Sequence, residues 1–135
     1  MKKDIQIPEV KNVYVAVVNE VNEYDEQVWN VYIINDQNEM IEGVMVTSKG
    51  YLVQPGKQNT NTSVLRHVIG NVPAKTAAKI EPITPEVFHL NNEYWITFFN
   101  GNQLMEKKYV FGAYTITEEL MEYVPVLEKK AVVIW

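Results

Sequence analysis

A chain of 135 residues with 47% hydrophobic and 21% charged residues has the size and composition of one globular domain, so we expect a single domain over residues 1–135. The chain has no cysteine, which excludes a disulfide framework and thiolate metal sites. Its net charge of −5, together with Arg66 as its only arginine, argues against binding to the phosphate backbone of a nucleic acid.

The N-terminal segment and the longest apolar run both lack the features of membrane targeting. Residues 1–8 begin with basic side chains but contain no apolar core of the kind that a secretory signal needs. The longest apolar run, residues 13–18, has six residues, whereas a membrane-spanning helix needs about 20. We therefore expect a soluble cytoplasmic protein without a membrane partner, and the absence of cysteine fits a reducing compartment.

The first part of the chain has the composition of strands. Residues 13–18 are mainly β-branched and aromatic, which predicts a strand. Residues 28–34 and 40–47 are two further apolar runs, and the polar residues 35–38 between them predict a β-hairpin with a longer loop. Gly43 inside the second of these runs indicates a β-bulge or a close packing contact.

The middle of the chain combines a polar loop with two strands around a proline. Residues 54–62 contain few apolar side chains and several turn formers, so we expect an exposed, mobile loop. Residues 63–72 alternate as a strand that Pro73 ends. Residues 74–79 are then predicted to be a connector into a strand at residues 80–83.

The clearest hairpin lies in the second half of the chain. Apolar runs at residues 94–99 and 104–111 flank the dipeptide Asn100-Gly101. Because both central residues of a type I′ turn need positive φ angles, Asn-Gly is typical of that turn. We therefore predict an antiparallel hairpin with a tight type I′ turn.

Two short helices and a last strand complete the predicted elements. Thr84 as N-cap and Pro85 as first helical residue predict a short helix that ends near Leu90. A capping-box pattern at residues 115–118 predicts a second short helix that starts near Thr115 or Thr117. Residues 131–135 are apolar and predict a final strand.

This set of elements indicates the fold class. About seven short strands separated by turn signals predict a mainly β, immunoglobulin-like β-sandwich with one or two short helices. The strand, proline corner and strand around Pro73 are typical of a crossing between the two sheets of such a sandwich. The alternative is an α+β fold in which the short helices cover one antiparallel sheet.

Arg66 and His67 are the first candidates for a ligand-binding site. An arginine can grip a carboxylate or phosphate group, and a histidine can donate a proton. Neighbouring strand residues point to opposite faces, however, so the pattern favours an exposed Arg66 and a His67 in the core or at its rim.

No arrangement of residues in the sequence indicates catalysis, a metal or a cofactor. Neither serine lies in a Gly-x-Ser-x-Gly motif, and no partner motif accompanies another nucleophile. His67 and His89 are 22 residues apart, unlike the compact histidine spacing of zinc sites. The clustered carboxylates fall in polar stretches typical of a solvated surface. We predict no catalytic residue, no metal ligand and no cofactor, and the chain is more typical of a non-enzyme.

The aromatic residues of the second hairpin are the other candidate site. Tyr94 and Phe98 alternate with Trp95 and Phe99, so both faces of this strand are apolar. A strand that buries one face in its own sandwich needs cover for the other face. The sequence favours cover by the predicted helices and connections; if another molecule supplies it, Tyr94, Trp95, Phe98 and Phe99 mark an interface.

Five stretches spread over nearly the whole chain resemble a family of small, uncharacterised, single-domain bacterial proteins. They are IPEV at residues 7–10, WNVYIIN at residues 29–35, SKGY at residues 48–51, LRH at residues 65–67 and NNEYW at residues 91–95. The resemblance implies a bacterial protein with no settled activity, cofactor or site residue. Some members of the family look to carry a phenylalanyl-tRNA synthetase α-subunit label. The sequence does not support that activity, because such a core needs several arginines around ATP and a far longer chain.

These observations predict a soluble, non-catalytic binding or protein-interaction module, with a protein partner or a second copy of itself as the bound molecule. Two alternatives follow from the candidate residues. The first is a small-molecule binding protein or weak enzyme with a pocket near Arg66 and His67. The second is a structural subunit of a homo-oligomer that uses the aromatic hairpin around Trp95.

Overall fold

The computed structural model describes residues 8–56 and 60–135; the predicted N-terminal segment 1–7 and residues 57–59 of the predicted loop lie outside them. Ten strands and two single-turn 3₁₀ helices lie in the described residues. In chain order the strands are β1 (Val13–Val21), β2 (Gln27–Asn35), β3 (Ile41–Leu52), β4 (Thr60–Asn61), β5 (Leu65–Val72), β6 (Thr76–Ile83), β7 (Asn91–Asn100), β8 (Gln103–Phe111), β9 (Glu122–Val124) and β10 (Lys129–Ile134). The 3₁₀ helices are Pro85–Val87 and Glu118–Leu120.

The strands form two antiparallel sheets that pack face to face as a β-sandwich. The first sheet has the order β6-β2-β1-β10-β9. The second sheet has the order β4-β3-β7-β8. β5 also belongs to this sheet, because it pairs with residues 41–48 of β3, whereas β4 pairs with Tyr51 and Leu52 of the same strand. The predicted mainly β sandwich is therefore confirmed, with more strands than expected. The α+β alternative is wrong, because each sheet is covered by the other sheet and the helices are single turns. The immunoglobulin-like topology stays a prediction.

The hydrophobic core lies between the two sheets. Alternate residues of each strand point inward, so β1 contributes Val13, Val15 and Val17, and β7 contributes Tyr94 and Phe98. A smaller apolar cluster lies on the opposite side of the first sheet. Both faces of the first sheet are therefore partly buried, whereas the second sheet buries only its inner face.

The predicted crossing at Pro73 is confirmed. β5 belongs to the second sheet and β6 to the first, so the chain changes sheets at this proline. The buried Asn35 side chain holds the corner, because its Nδ2 donates to the backbone oxygens of Val72 at 3.0 Å and Pro73 at 3.1 Å. β6 begins at Thr76 rather than at residue 80, so the connector is shorter than predicted.

The predicted hairpin of β7 and β8 is confirmed, but its turn differs from the prediction. Asn100 pairs with Gln103, so the two-residue loop is Gly101-Asn102. Gly101 has a φ of 58°, whereas Asn102 does not have a positive φ. One positive φ, at the first central residue, is typical of a type II′ turn and not of the predicted type I′ turn.

The predicted hairpin over residues 28–47 is wrong. β2 pairs with β1 and β6 in the first sheet, whereas β3 pairs with strands of the second sheet. The polar residues 35–38 carry the chain from one sheet to the other. A hairpin joins β1 to β2 at the other end of β2, where Asn22 Oδ1 accepts hydrogen bonds from the amides of Tyr24 and Glu26. Turn-forming residues indicate a reversal, but they do not determine which strands pair.

The predicted bulge at Gly43 is confirmed. The pairing of β3 with β5 shifts register between Ile41 and Val44, and Gly43 has a φ of 60°. Glycine adopts this conformation without a steric penalty, as a bulge of this kind requires. The extra residue keeps Val44 and Val46 facing the core after Ile41.

Both predicted helices are reduced to single 3₁₀ turns. Thr84 is the N-cap of the first turn as predicted, but its side chain makes no capping hydrogen bond. Thr117, one of the two predicted starting positions, is the N-cap of the second turn, but its side chain makes no capping hydrogen bond, so the predicted capping box does not form. Within the described residues, no helix has the length and apolar character needed to cross a membrane.

Candidate functional site

A second bulge, in β6, turns an acidic side chain into the space between the sheets. Val31 of β2 pairs with Glu81, and the next residue, Tyr32, pairs with Lys79, so Ile80 has no partner. One extra residue reverses which side chains of a strand face inward. Ile80 and Glu81, although adjacent in the chain, therefore both point toward the second sheet.

The Glu81 carboxylate accepts hydrogen bonds from three strands of the second sheet. Ser48 Oγ on β3 donates to Glu81 Oε1 over 2.8 Å, and Tyr94 Oη on β7 donates to Oε2 over 3.1 Å. His67 Nε2 on β5 lies 2.7 Å from Oε1, where a protonated nitrogen donates to the carboxylate. We name these four residues the Glu81 cluster; they connect the two sheets through polar groups.

Strand register brings the members of the Glu81 cluster together. Ser48 pairs with Tyr94 on one side, and His67 lies two residues beyond the partner of Ser48 on the other side. Burial, and then the charge and hydrogen bond of Glu81, raise the pKa of Tyr94 well above its ordinary value. Tyr94 therefore keeps its proton at neutral pH and serves as a hydrogen-bond donor to the carboxylate.

The Glu81 cluster borders a cavity of about 360 Å³ that both sheets line. Small-molecule pockets typically have volumes of roughly 300–1,000 Å³, so the cavity is at the small end of that range. Its polar wall includes Ser48, Glu81, Asn92 and Tyr94. Its apolar wall includes Leu65, Pro82, Ile83 and Val87. The lining of the cavity thus combines hydrogen-bonding groups with hydrocarbon.

The structure separates the two residues that the sequence suggested for ligand binding. The register pairs Arg66 with Thr47 and His67 with Val46, so the predicted alternation is confirmed. His67 contacts the cavity residue Glu81 as part of the Glu81 cluster, but His67 does not itself line the cavity. Arg66 is exposed on the other side of the sheet, so it does not reach this cavity.

The four aromatic candidates also divide between two faces. Tyr94 and Phe98 are buried in the core, which excludes them from contact with a partner of the folded chain. Trp95 and Phe99 are each 42% exposed on the opposite face of the second sheet. The cover that the sequence favoured for this face, from helices and connections, is absent over these two residues.

Sequence reasoning missed Glu81, Ser48 and Tyr94 as cavity residues. Glu81 stands outside the obvious carboxylate clusters, and its inward direction depends on the bulge. A signal did exist in the spacing of Ile80 and Ile83. These two buried residues are three apart, and an uninterrupted strand cannot place both on one face. That spacing indicates a bulge, and hence an inward Glu81.

Glu20 forms a separate polar site on the outer side of the first sheet. Its Oε1 accepts hydrogen bonds from Asn30 Nδ2 and Tyr32 Oη, both at 2.6 Å. Lys129 Nζ lies 3.6 Å from Oε2. Burial raises the pKa of Glu20, but the hydrogen bonds from Tyr32 and Asn30 and the charge of Lys129 outweigh it, so the pKa falls below its ordinary value. Burial and the Glu20 charge raise the pKa of Tyr32 to about 12.

The lowered pKa of Glu20 predicts a specific pH dependence of stability. A carboxyl group with a lower pKa in the folded than in the unfolded state adds stability above its ordinary pKa of 4.5, and this contribution is lost as the pH falls through the folded value. We expect the free-energy difference between wild type and Glu20→Gln to be largest at neutral pH and to shrink in acid, as measured by urea unfolding across pH. Exposed Glu23→Gln is the control, and an equal pH trend for both variants would contradict the account.

Nothing in the described residues forms a group of three or more histidine, aspartate or glutamate side chains able to hold a metal ion. Comparison with protein-family models, with curated proteins and with solved structures found no match.

Proposed function

We propose that this protein is a non-catalytic binding protein that holds a small organic cation, a primary ammonium with a short apolar tail, in the cavity beside Glu81. The observation that supports the proposal is one carboxylate at the wall of a cavity, hydrogen-bonded by groups that carry no permanent positive charge. Lys49, a cation that also lines the cavity, lies 3.9 Å from Glu93 and forms its ion pair there, not with Glu81. We place this activity in the cytoplasm because the chain contains no cysteine, which fits a reducing compartment.

Charge balance favours a cation over a neutral or anionic ligand. Among the described residues, the ion-pair partner of Glu81 is His67, which is charged only when protonated. Ser48 and Tyr94 donate neutral hydrogen bonds. A carboxylate has about four lone-pair positions, and Oε2 accepts only the Tyr94 hydrogen bond among the described groups. An ammonium group can therefore donate to Oε2 and supply the missing positive charge.

The remaining walls define the rest of the ligand. Leu65, Ile83 and Val87 present hydrocarbon, which favours an apolar tail. Ser48 Oγ and Tyr94 Oη donate to Glu81 but keep lone pairs that can accept the other ammonium protons. A linear primary amine of about four carbons satisfies both walls within a cavity of this size.

The geometry favours binding over catalysis. A serine nucleophile needs a base that takes its proton, and in hydrolases that base is a histidine oriented by a carboxylate. Here the order is reversed, because Glu81 lies between Ser48 and His67 and both donate to it. His67 donates to Glu81 and does not accept from Ser48, so Ser48 lacks the histidine base of that arrangement.

Calorimetric titration with n-butylamine, a cation at neutral pH, tests the proposal. We expect saturable binding to wild type and at least about tenfold weaker binding to Glu81→Gln, which keeps the side-chain shape and removes the charge. Glu86→Gln is the matched control, because Glu86 is an exposed acid three residues past the cavity wall at Ile83 and does not line the cavity.

Two outcomes would overturn the proposal. One is binding of n-butylamine that Glu81→Gln and Glu86→Gln weaken equally, which would indicate a general attraction to an acidic protein. The other is equal affinity for n-butylamine and its neutral isostere 1-butanol. Arg66→Ala is expected to leave the affinity unchanged, since Arg66 is on the other side of the sheet.

A further inference from the structure

The side of the second sheet that points away from the core, which we name the outer face, carries an unusual set of exposed apolar residues. They are Met45, Val68, Trp95, Phe99, Leu104 and Val110. Val68 is 80% exposed and pairs with Met45, and Phe99 pairs with Leu104. Single exposed apolar residues are normal on a protein surface, but a contiguous group marks an interaction site.

The charged residues of the outer face are sorted by sign along the strands. One end is basic: Arg66 shares a cross-strand row with Thr47, Trp95 and Lys108. In the next row at this end, Lys49 lies 3.9 Å from Glu93, which is also 3.9 Å from Lys108.

The opposite end of the outer face is acidic. Glu106 pairs with Thr97, in the same row as Met45, and Glu42 pairs with Phe99 one row further. Arg66 and Glu42 form no ion pair within the part of the chain that the structure describes. The face thus presents an unpaired cation and an unpaired anion at its two ends.

The outer face is neutral on an acidic protein. Among the residues that the structure describes, the three basic residues of this face, Lys49, Arg66 and Lys108, balance its three acids, Glu42, Glu93 and Glu106. The whole chain, in contrast, carries a net charge of −5. Because of this net charge, two copies of the chain repel each other over most of their surface, but two neutral outer faces do not repel each other. A face that is basic at one end and acidic at the other is complementary to itself under a two-fold rotation.

We propose that a second copy of this chain packs on the outer face, related by a two-fold axis that crosses β5, β3, β7 and β8 between the basic and the acidic end. This rotation places the basic end of each copy on the acidic end of the other, with Arg66 against Glu42 of the second copy. Val68 and Met45, in the row midway between Arg66 and Glu42, then lie near the axis and lose their solvent exposure. Glu106 belongs to the same row and also lies near the axis, so Glu42 is the acid that meets the basic end of the second copy. The inference is independent of the cavity at Glu81, which opens between the sheets.

Sedimentation equilibrium tests the proposal by a charge-swap experiment. We expect wild type to show a concentration-dependent mass that rises to twice the 15.6 kDa chain mass. Arg66→Glu and Glu42→Arg each replace two attractive pairs of the dimer by two repulsive ones, so each is expected to weaken dimerisation by at least about tenfold. The double variant restores both pairs and is expected to dimerise nearly as well as wild type.

A matched pair of valine variants tests the apolar part of the interface. Val68→Lys is expected to yield monomers, and Val21→Lys, at a 54% exposed valine on the first sheet, is expected to leave the dimer intact. A wild-type protein that stays monomeric at all concentrations overturns the proposal, even if the outer face binds a different protein. So does a dimer that the charge-swap variants leave unchanged, or one that Val21→Lys disrupts as strongly as Val68→Lys.

Discussion

Replacement of Phe98 by alanine is expected to lower the free energy of unfolding by about 3–5 kcal/mol. Phe98 is 1% exposed and packs in the core between the two sheets. Its removal loses the burial of an aromatic ring and leaves a cavity that the rigid strands on either side cannot close. Urea unfolding followed by tryptophan fluorescence measures the change.

The adjacent residue supplies the control for this prediction. Phe99 carries the same side chain one position later, but it points to the outer face and is 42% exposed. Phe99→Ala is expected to cost less than about 1 kcal/mol when measured at low protein concentration, where self-association contributes least. Equal losses for the two variants would contradict the assigned register of β7, since a shift of one residue exchanges the two faces.

Replacement of Glu81 by alanine is expected to cost about 3 kcal/mol of folding free energy. The side chain is 13% exposed, and its loss leaves Ser48, His67 and Tyr94 without the acceptor that they share. Unsatisfied donors in a partly buried site cost more than a lost hydrogen bond between solvated groups. The effect belongs to the whole cluster, so it should depend on the presence of the donors.

A double-mutant cycle with Tyr94→Phe measures that dependence. In the wild-type background, Tyr94→Phe is expected to cost about 1 kcal/mol, because it removes one hydrogen bond to a carboxylate. In the Glu81→Ala background it is expected to cost nothing, since the hydroxyl no longer has its partner. Additive losses in the cycle would show that the two side chains do not interact as described.

The sequence predicted those parts of the fold in which turn residues and strand patterns close together in the chain also determine which strands pair or cross. The hairpin at residues 94–111 and the crossing at Pro73 depend on turn residues and strand patterns that are close in the chain. The hairpin predicted at residues 28–47 failed, because apolar runs next to a polar turn are also compatible with a change of sheet. Strand pairing over long separations is set by packing of the whole core, which a local pattern does not contain.

The site was predicted only in part. His67 was identified from its residue type and its place on a strand, and it contacts Glu81, which lines the cavity. Glu81 was missed because its direction depends on the bulge at Ile80, which the pairing with β2 sets. Arg66 was proposed for the same pocket, but alternation along β5 places it on the outer face, where it has a different proposed role. The residue types indicated which side chains could bind a ligand, but the strand register determines which of them lie next to one another.

A ¹H–¹⁵N NMR titration of the intact protein with n-butylamine at neutral pH tests whether an ammonium group binds beside Glu81. We expect saturable shifts centred on the backbone amides of residues that line the cavity, such as Gly50, Glu81 and Ile83, and their loss in Glu81→Gln. Shifts of the same size with 1-butanol, or shifts spread over exposed acids such as Glu23 and Glu118, would contradict this expectation.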